Sequence, residues 1–356
     1  MKIVYLNYHI RSITGGHKYN DAFLDYVSKI TDATIIRTPC CAALYPFWLK
    51  PLSPLLELKR LKLLSRDSIV FWGDTSHNYH FLLALFARFF MRVKSVIIVH
   101  HFLYGDESKH KIQSLIYFYY LKQIKTIIVP SPYTMSLAKR YFPEKEIIYI
   151  PLPFMKGYCL STTYEEGNYL YVGSVEPRKG LIYLIEALGI VKQQKPTIRF
   201  TLTIVGEIVD IDYANLLLNK AEELNIREHV VVRGRVSDDE LNDCYQRAEI
   251  FTFPSLLEGY GVVLIEAFSK GVPVVCFNNS AMPYTVKDGV NGLVADNMNI
   301  HSLADKILQL SGNQVLRKKL QEGIALTMKD LKTRDDFEAG VRKLFYALYH
   351  GKQIFN

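Results

Sequence analysis

Two glutamates, Glu258 and Glu266, mark the part of the sequence with the most specific chemistry. Glu258 follows an apolar run, and Gly259, Tyr260 and Gly261 then open a helical segment that contains Glu266. A glycine-flanked helix start offers backbone N–H groups to a phosphate. A loop carboxylate can bond a sugar hydroxyl, and a helical carboxylate can accept two hydrogen bonds from a ribose diol. Alternatively, Glu258 is a helix cap and Glu266 a surface residue, although an acidic residue in so apolar a helix normally needs a partner.

A basic pair, Arg178 and Lys179, follows another predicted strand and opens the next predicted helix. The N-terminus of a helix prefers acidic residues, because cations oppose the helix dipole. The position of the pair therefore favours binding of an anion in a cleft, and the alternative is a solvated basic face.

In the first half, Gly16 and His100 are the candidate residues. Gly16 ends a Thr-Gly-Gly turn after the first strand, where a close approach to an anion is possible. The segment lacks the GxGxxG pattern, and Arg37 stands where NAD-binding proteins carry an acid, which argues against NAD. His100 and His101 directly follow a strand, where a histidine can bond a substrate hydroxyl. The alternatives are a simple turn and a satisfied histidine at a strand edge.

The elements that must position these residues are short apolar strands alternating with amphipathic segments. Such alternation predicts parallel sheets covered on both faces, arranged as two doubly wound α/β domains. We expect a boundary within Pro151–Gly167, and thus domains at 1–152 and 153–333, with a last helix at about 334–356. The predicted strands are Ile3–Leu6, Ala33–Ile36, Ser68–Phe71, Ser95–Val99, Thr126–Val129, Ile147–Ile150, Tyr169–Val172, Thr201–Val205, Val230–Val232, Ile250–Thr252, Val274–Cys276 and Gly292–Val294.

Composition limits the class of protein. Apolar residues form 49% of the 356 residues and charged residues 22%, as in ordinary globular proteins. We expect no transmembrane helix, since no uncharged apolar run is long enough, and no signal peptide. The five cysteines lack metal-binding spacing, so we expect reduced thiols in a cytoplasmic protein and no metal site.

The charge is uneven along the chain. Residues 1–160 contain 21 Lys and Arg against 10 Asp and Glu, a net charge of +11. Three basic and apolar segments, Lys50–Arg66, Phe86–Lys94 and Lys109–Lys125, are candidates for contact with an anionic membrane. The alternative is that they are ordinary helices with solvated charges. No nucleic-acid motif accompanies the charge, so we expect no nucleic-acid partner.

The segment FPSLLEGYGVVLIEAFSKGVPVV resembles the Glu-x7-Glu signature of the retaining glycosyltransferases of family 4. GSVEPRKGL resembles that family's phosphate-binding segment, while TGGHKYN and VHH resemble its N-terminal glycine loop and strand-end histidine. The resemblance extends over nearly the whole chain. It implies the GT-B fold: two Rossmann-like domains that face each other across a cleft, with a C-terminal helix that crosses back to the first.

The resemblance also implies roles for the candidate residues. Arg178 and Lys179 would neutralise the donor diphosphate, with Gly259, Tyr260 and Gly261 near the phosphates. Glu266 would hold the ribose, and Glu258 would contact the transferred sugar. Gly16 would approach the diphosphate, and His100 would bind a sugar hydroxyl. The departures are Ser174 in place of a common arginine, His101 in place of an aspartate, and Leu152 in place of an asparagine.

The implied activity is transfer of a hexose, with retention and without a metal or other cofactor, from a nucleotide diphosphate sugar. GDP-mannose and UDP-sugars are the candidate donors, and a lipid-linked or other glycan is the candidate acceptor. The expected location is the cytoplasm, at the inner face of the cell membrane if the acceptor is a lipid. The alternatives are a nucleotide-sugar-binding protein without transferase activity and a nucleotide-sugar epimerase of the same fold.

Overall fold

The computed structural model describes residues 2–8, 15–39, 52–66, 68–74, 77–91, 93–102, 111–154 and 164–350. The chain divides into two compact units. The first comprises Met1–Met155 together with Lys332–Asn356, and the second comprises Lys156–Leu331. The C-terminal segment thus belongs to the unit that contains the N-terminus.

The first unit is built on a parallel sheet of six strands in the order β2-β1-β3-β4-β5-β6. The chain enters the sheet at β1 and adds β2 on one side and β3 on the other, so the direction of winding reverses between β1 and β3. The strands are β1 (Lys2–Tyr8), β2 (Thr34–Pro39), β3 (Ser68–Trp72), β4 (Lys94–Ile98), β5 (Thr126–Val129) and β6 (Glu146–Tyr149). The helices are α1 (Gly15–Ile30), α2 (Ser53–Leu56), α3 (His77–Phe86), α4 (Lys111–Gln123) and α5 (Pro132–Tyr141). A 3-10 helix, Glu57–Leu63, follows α2, and a π-helical turn, Ala87–Met91, follows α3.

The C-terminal helix completes the core of this first unit. Its apolar face places the ring of Phe337 edge-on to Tyr19 of α1, with ring centroids 5.7 Å apart. Phe345 stacks on Phe71 of β3 at 6.3 Å. Phe337 and Phe345 are eight residues apart and so lie on one face of the helix, which packs on the N-terminal sheet and on α1.

The second unit is built on another parallel six-stranded sheet, in the order β12-β11-β10-β7-β8-β9. Here the winding reverses between β7 and β10. The strands are β7 (Asn168–Val172), β8 (Thr201–Val205), β9 (Val230–Gly234), β10 (Ile250–Phe253), β11 (Val274–Phe277) and β12 (Gly292–Ala295). The helices are α6 (Leu181–Gln194), α7 (Ile211–Glu223), α8 (Asp238–Arg247), α9 (Val262–Ser269), α10 (Met282–Thr285), α11 (Ile300–Leu310) and α12 (Gln314–Asp330), and α13 (Arg334–His350) returns to the first unit.

All twelve predicted strands are confirmed, with ends that differ by a few residues. Runs of β-branched residues that are buried on both sides form the central strands of a parallel sheet, as β10 and β11 do. The two sheets differ in strand order, which the sequence analysis did not distinguish. The second has the order of dinucleotide-binding folds, and the first has the flavodoxin-like order extended by β6.

The predictions on cysteines, membrane-spanning helices and metal sites can be compared with the structure only at the described residues. Cys40, Cys41 and Cys159 lie outside them, while Cys244 and Cys276 are free thiols. Within the described part of the chain, no helix is both long and apolar enough to cross a bilayer. In the same part, no three His, Cys, Asp or Glu side chains cluster as a metal site would require.

Candidate functional site

The loops after β7 and β10 meet at the point where the winding of the second sheet reverses. The backbone N–H of Leu256 donates to the carbonyl of Arg178 at 3.0 Å and joins the two loops. Gly180 allows this contact, because a Cβ at its position would lie 2.1 Å from the carbonyl oxygen of Pro254, and its φ is +66°. Ligands of doubly wound sheets bind at such reversals, since two loops separate there and leave a crevice.

Lys179 and Glu258 form a buried ion pair at this point. The ammonium of Lys179 donates to Oε1 of Glu258, and both residues are buried. The hydroxyl of Ser255 donates to the same carboxylate oxygen at 3.0 Å. The ammonium also lies 5.6 Å from the centroid of the Phe253 ring. Two residues with separately predicted roles are therefore partners.

Arg178 lies at the rim of the same cluster and is more exposed than Lys179. Its Nη1 donates to the carbonyl of Leu257 at 2.9 Å, and its Nη2 donates to Glu176 at 2.8 Å. Its Nη1 also lies 3.7 Å from Oε1 of Glu258. The basic pair belongs to a 3-10 turn, Pro177–Lys179, that precedes α6. This corrects the prediction that the pair opens that helix directly. The physical reason is Gly180, whose left-handed conformation separates the turn from α6.

Polar residues further along the chain position the Glu258 loop. The hydroxyl of Ser280 accepts a hydrogen bond from the backbone N–H of Glu258 at 3.0 Å. The amide of Asn279 donates to the carbonyl of Ser255 at 3.1 Å. Sequence reasoning missed these residues, because their only signal was a polar Asn-Asn-Ser turn directly after β11.

Gly261 begins α9 and Glu266 lies on it. Gly261 has a φ of +78°, and a Cβ there would lie 2.8 Å from Leu264. Gly259 is buried and Tyr260 is half-buried. The carboxylate of Glu266 is half-buried and accepts a hydrogen bond at 2.9 Å from the hydroxyl of Tyr245 on α8. Tyr245 is the expected partner of this acid, and burial together with the Glu266 charge raises the pKa of its phenol.

Gly16 and His100 come together within the first unit. A Cβ on Gly16 would lie 3.1 Å from Cδ2 of the His100 ring, so α1 approaches the histidine closely. One helical turn further, Oδ1 of Asn20 lies 3.0 Å from Nε2 of His100. The ring of Tyr19 packs edge-on to the histidine at 5.4 Å. Burial, followed by the neighbouring His101 and His17, lowers the pKa of His100 to about 3.

The contact with Asn20 favours one tautomer of the neutral His100 ring. An amide oxygen can only accept a hydrogen bond, so this contact needs Nε2 of His100 to be protonated and to donate to Oδ1 of Asn20. Nδ1 therefore keeps its lone pair and can accept a hydrogen bond from a hydroxyl. Asn20 was missed by sequence reasoning, although its position four residues after Gly16 places both on one face of α1.

Asp74 holds the loop that carries the two histidines. Its Oδ2 accepts from the backbone N–H of His100 at 3.2 Å, and its Oδ1 accepts from the hydroxyl of Tyr117 at 2.6 Å. Burial raises the pKa of Asp74 to about 7, although hydrogen bonds from Tyr117 and from the backbone of His100 and His101 oppose the shift. Sequence reasoning missed Asp74, although its position just after β3, where the winding of the first sheet reverses, was a signal for it.

The predicted site residues thus form two groups. Gly16 and His100 belong to the first unit, and the basic pair, the glycine triplet and both glutamates belong to the second. Within the second unit, Glu258 is bonded to the basic pair, whereas Glu266 is bonded to Tyr245. The second group combines cations, a carboxylate and a glycine-flanked helix start, which together can bind a sugar phosphate.

Comparison with known proteins agrees with this assignment of the second unit. The family "Glycosyl transferases group 1" matches residues 163–326, which are most of that unit. Most of the second unit is therefore similar to the group 1 glycosyltransferases.

Two curated relatives carry names of the same class. An uncharacterized glycosyltransferase of Methanocaldococcus jannaschii is 31% identical over 194 residues, covering 52% of this chain and 50% of its own. The O-antigen chain mannosyltransferase B of Escherichia coli is 32% identical over 207 residues, covering 53% and 52%. The chain spans about half the length of these relatives.

Solved structures extend the likeness to both units. HepE of Anabaena, in complex with UDP and glucose, superposes with a TM-score of 0.75 at 17% identity and covers 98% of this chain and 100% of its own. At this identity the likeness shows the fold alone. The predicted fold class is thus confirmed: two Rossmann-like α/β domains of the GT-B type.

Proposed function

We propose that this protein transfers a hexose from a nucleotide diphosphate sugar to a lipid-linked or other glycan acceptor. The observation that carries the proposal is the buried pair of Lys179 and Glu258, with Arg178 at its rim, at the reversal of the second sheet. A cluster with two cations on loops, beside a glycine-flanked helix start, suits a diphosphate leaving group. The similarity to group 1 glycosyltransferases and the named transferases among the relatives support the same reaction class.

The reaction breaks the bond between the anomeric carbon and the diphosphate oxygen and forms a bond from that carbon to an acceptor hydroxyl oxygen, whose proton leaves with the nucleoside diphosphate. Negative charge then grows on the diphosphate, and we propose that Arg178 and Lys179 stabilise it in place of a metal ion. Both cations are paired with carboxylates, so the donor phosphates would compete with Glu258 for Lys179. The released carboxylate would then be available to a hydroxyl of the transferred sugar.

Three further residues have proposed roles, one in the second unit and two in the first. Glu266 would accept hydrogen bonds from the ribose hydroxyls, oriented by the bond from Tyr245. In the first unit, Nδ1 of the neutral His100 would accept a hydrogen bond from a sugar hydroxyl, and Gly16 would admit the diphosphate. We propose that the product retains the anomeric configuration of the donor.

The donor is proposed from the relatives. A relative whose name says that it is a GDP-mannose-dependent mannosyltransferase favours GDP-mannose, and the UDP bound to HepE keeps UDP-sugars as candidates. The relative that extends O-antigen chains favours a glycan acceptor. If the acceptor is lipid-linked, a cytoplasmic enzyme would meet it at the inner face of the cell membrane.

A donor screen tests the proposal. Purified protein is incubated with GDP- and UDP-sugars, with and without membrane extract and with and without EDTA, and release of nucleoside diphosphate is measured. We expect release from one donor, unaffected by EDTA, at least 100-fold slower in Lys179→Met and Glu258→Gln. The matched control is Lys329→Met, which removes an exposed lysine of α12 and should leave the rate unchanged.

The remaining outcomes separate the alternatives. Tight binding of a nucleotide sugar without release in any extract would indicate a binding protein. Conversion of the donor without transfer would indicate an epimerase. Failure to bind any nucleotide sugar would overturn the whole assignment. NMR of the product's anomeric proton tests retention.

A further inference from the structure

Three helices of the first unit carry the described parts of the three basic and apolar segments; residues 50, 51, 92, 109 and 110 lie outside the described part of the chain. Helix α3 packs against α2 and its 3-10 extension and also against α4. The segments are far apart in the chain, and only the fold makes them neighbours. The exposed side chains of the three segments are therefore considered together, as one surface.

Helix α4 is apolar on its outer side as well as its inner side. Tyr117 and Tyr120 are fully buried against the sheet. On the opposite side, Ile112, Leu115 and Tyr119 follow a three- to four-residue spacing and are exposed, with Ile112 at 76%. A helix that is apolar on both sides is normally covered on both sides, by protein or by lipid.

The π-helical turn after α3 adds an exposed aromatic cluster. Phe86, Phe89 and Phe90 are all exposed, and Phe90 is exposed to 72%. The rings of Phe86 and Phe90 stack with centroids 5.4 Å apart. Large aromatic side chains in water, grouped on one turn, mark an interaction surface and not a random scatter of apolar residues.

Cations lie among these apolar side chains. The guanidinium of Arg88 lies 5.7 Å from the centroid of the Phe89 ring, and its Nη1 donates to the carbonyl of Lys122 at 2.6 Å. The ammonium of Lys122 lies 4.7 Å from the centroid of the Phe118 ring. Arg88 therefore connects the aromatic turn to the end of α4. Long basic side chains that lie over apolar rings can keep their charge at the level of lipid headgroups.

The third helix continues the pattern. Leu52, Leu55 and Leu56 are exposed at α2, and Lys59 and Lys62 are exposed on the 3-10 helix that follows it. The aromatic–basic surface, as defined here, consists of the exposed side chains of these three segments. Its members are Leu52, Leu55, Leu56, Lys59, Lys62, Phe86, Arg88, Phe89, Phe90, Ile112, Leu115, Tyr119 and Lys122.

We propose that the aromatic–basic surface binds an anionic lipid bilayer, with Phe89 and Phe90 inserted at the headgroup boundary. Charge decides between a bilayer and a second copy of the chain. Residues 1–160 carry a net charge of +11, so two such surfaces would repel each other, whereas anionic headgroups would attract them. The proposal rests on this surface and does not require the proposed transferase activity.

Vesicle co-sedimentation of the full chain tests the proposal. Vesicles of phosphatidylcholine alone are compared with vesicles that contain about 30% phosphatidylglycerol, which supplies anionic headgroups. We expect binding to the anionic vesicles only. Phe89→Ser and Phe90→Ser should each weaken it about 10-fold, because each removes one inserted ring. Lys59→Gln and Lys62→Gln should each weaken it about fivefold.

Matched controls lie on the second unit, where Val315 and Leu326 are exposed apolar residues of α12. Val315→Ser and Leu326→Ser should leave binding unchanged. Phe89→Trp should show a blue-shifted emission with anionic vesicles, quenched by brominated lipid, whereas Val315→Trp should not. All these substitutions are at exposed positions, so circular dichroism should match the parent chain.

Any of four results would overturn the proposal. The parent chain could fail to bind anionic vesicles, or it could bind neutral vesicles equally well. Binding could survive the double substitution of Phe89 and Phe90. Light scattering could instead show a dimer that these two substitutions dissociate, which would assign the surface to a second copy. Nucleoside diphosphate release is measured separately, so failure of membrane binding and failure of the transferase proposal remain distinguishable.

Discussion

The ion pair between Lys179 and Glu258 allows a quantitative prediction. The two side chains are only 11% and 10% exposed, so water screens their attraction weakly. Removal of one partner from a buried pair costs about 3–5 kcal/mol, mainly because a charge is left unpaired. Glu258 keeps its bond from Ser255 at 3.0 Å and has Arg178 at 3.7 Å, which places Lys179→Met near the lower end, at about 3 kcal/mol.

The double variant separates the pair from its surroundings. Glu258→Gln should also cost about 3 kcal/mol, since Lys179 then faces a neutral amide. The double variant, Lys179→Met with Glu258→Gln, should cost about 3 kcal/mol and not 6, a coupling of about 3 kcal/mol. Replacing Arg235 and Glu207, a pair with both side chains more than half exposed, is the control and should show coupling below about 1 kcal/mol.

Urea unfolding of the full chain measures these energies. Hydrogen exchange read by mass spectrometry should localise the loss to peptides that contain β10 and the loops after β7 and β10. Additive costs in the double variant would refute the reasoning, because they would mean that the two side chains do not stabilise each other. A loss spread evenly over both units would refute the localisation.

Three other predictions test the geometry of the two units. Gly180→Ala should lower the free energy of unfolding by more than about 2 kcal/mol and weaken nucleotide binding, because the new Cβ would lie 2.1 Å from a carbonyl oxygen. The control is Gly234→Ala, at a position with a similar φ of +69° and open space around it. Urea unfolding should show a cost of only about 1 kcal/mol for the control, from backbone strain alone. The pKa of His100 is about 3, so the unfolded state takes up a proton at this residue as the pH falls below 6.5 while the folded state does not; stability drops there, and His100→Asn should remove that drop. The pKa of Asp74 is about 7, so the folded state loses stability as the pH rises from 4 to 7, and Asp74→Asn should remove that loss. Thermal unfolding measured as a function of pH tests both. Tyr245→Phe removes the hydrogen bond to the proposed ribose-binding glutamate and should raise KM for the donor about fivefold with little change in kcat, and an unchanged KM would contradict that role.

The local elements were predictable because their signals are local. A buried parallel strand needs a short run of β-branched and aromatic residues, and each of the twelve predicted runs forms a strand. The basic pair and Glu258 were found because they follow such runs, and in a doubly wound fold the ends of the strands carry the site. Glu266 was found as an acidic residue in an apolar helical segment. The contact between Gly16 and His100 was not predicted, because it depends on how α1 approaches the end of β4.

The sequence by itself determined the strands, the two-part α/β organisation and the side chains available for chemistry. These follow from periodicity, and periodicity is a property of neighbouring residues. Only the tertiary structure decided which side chains are partners: Lys179 with Glu258, Glu266 with Tyr245, and His100 with Asn20. Such pairs join residues 21 to 80 positions apart, and their distances depend on strand order and on the path of the loops. Long-range packing sets the strand order and the path of the loops, and no local sequence pattern encodes that packing.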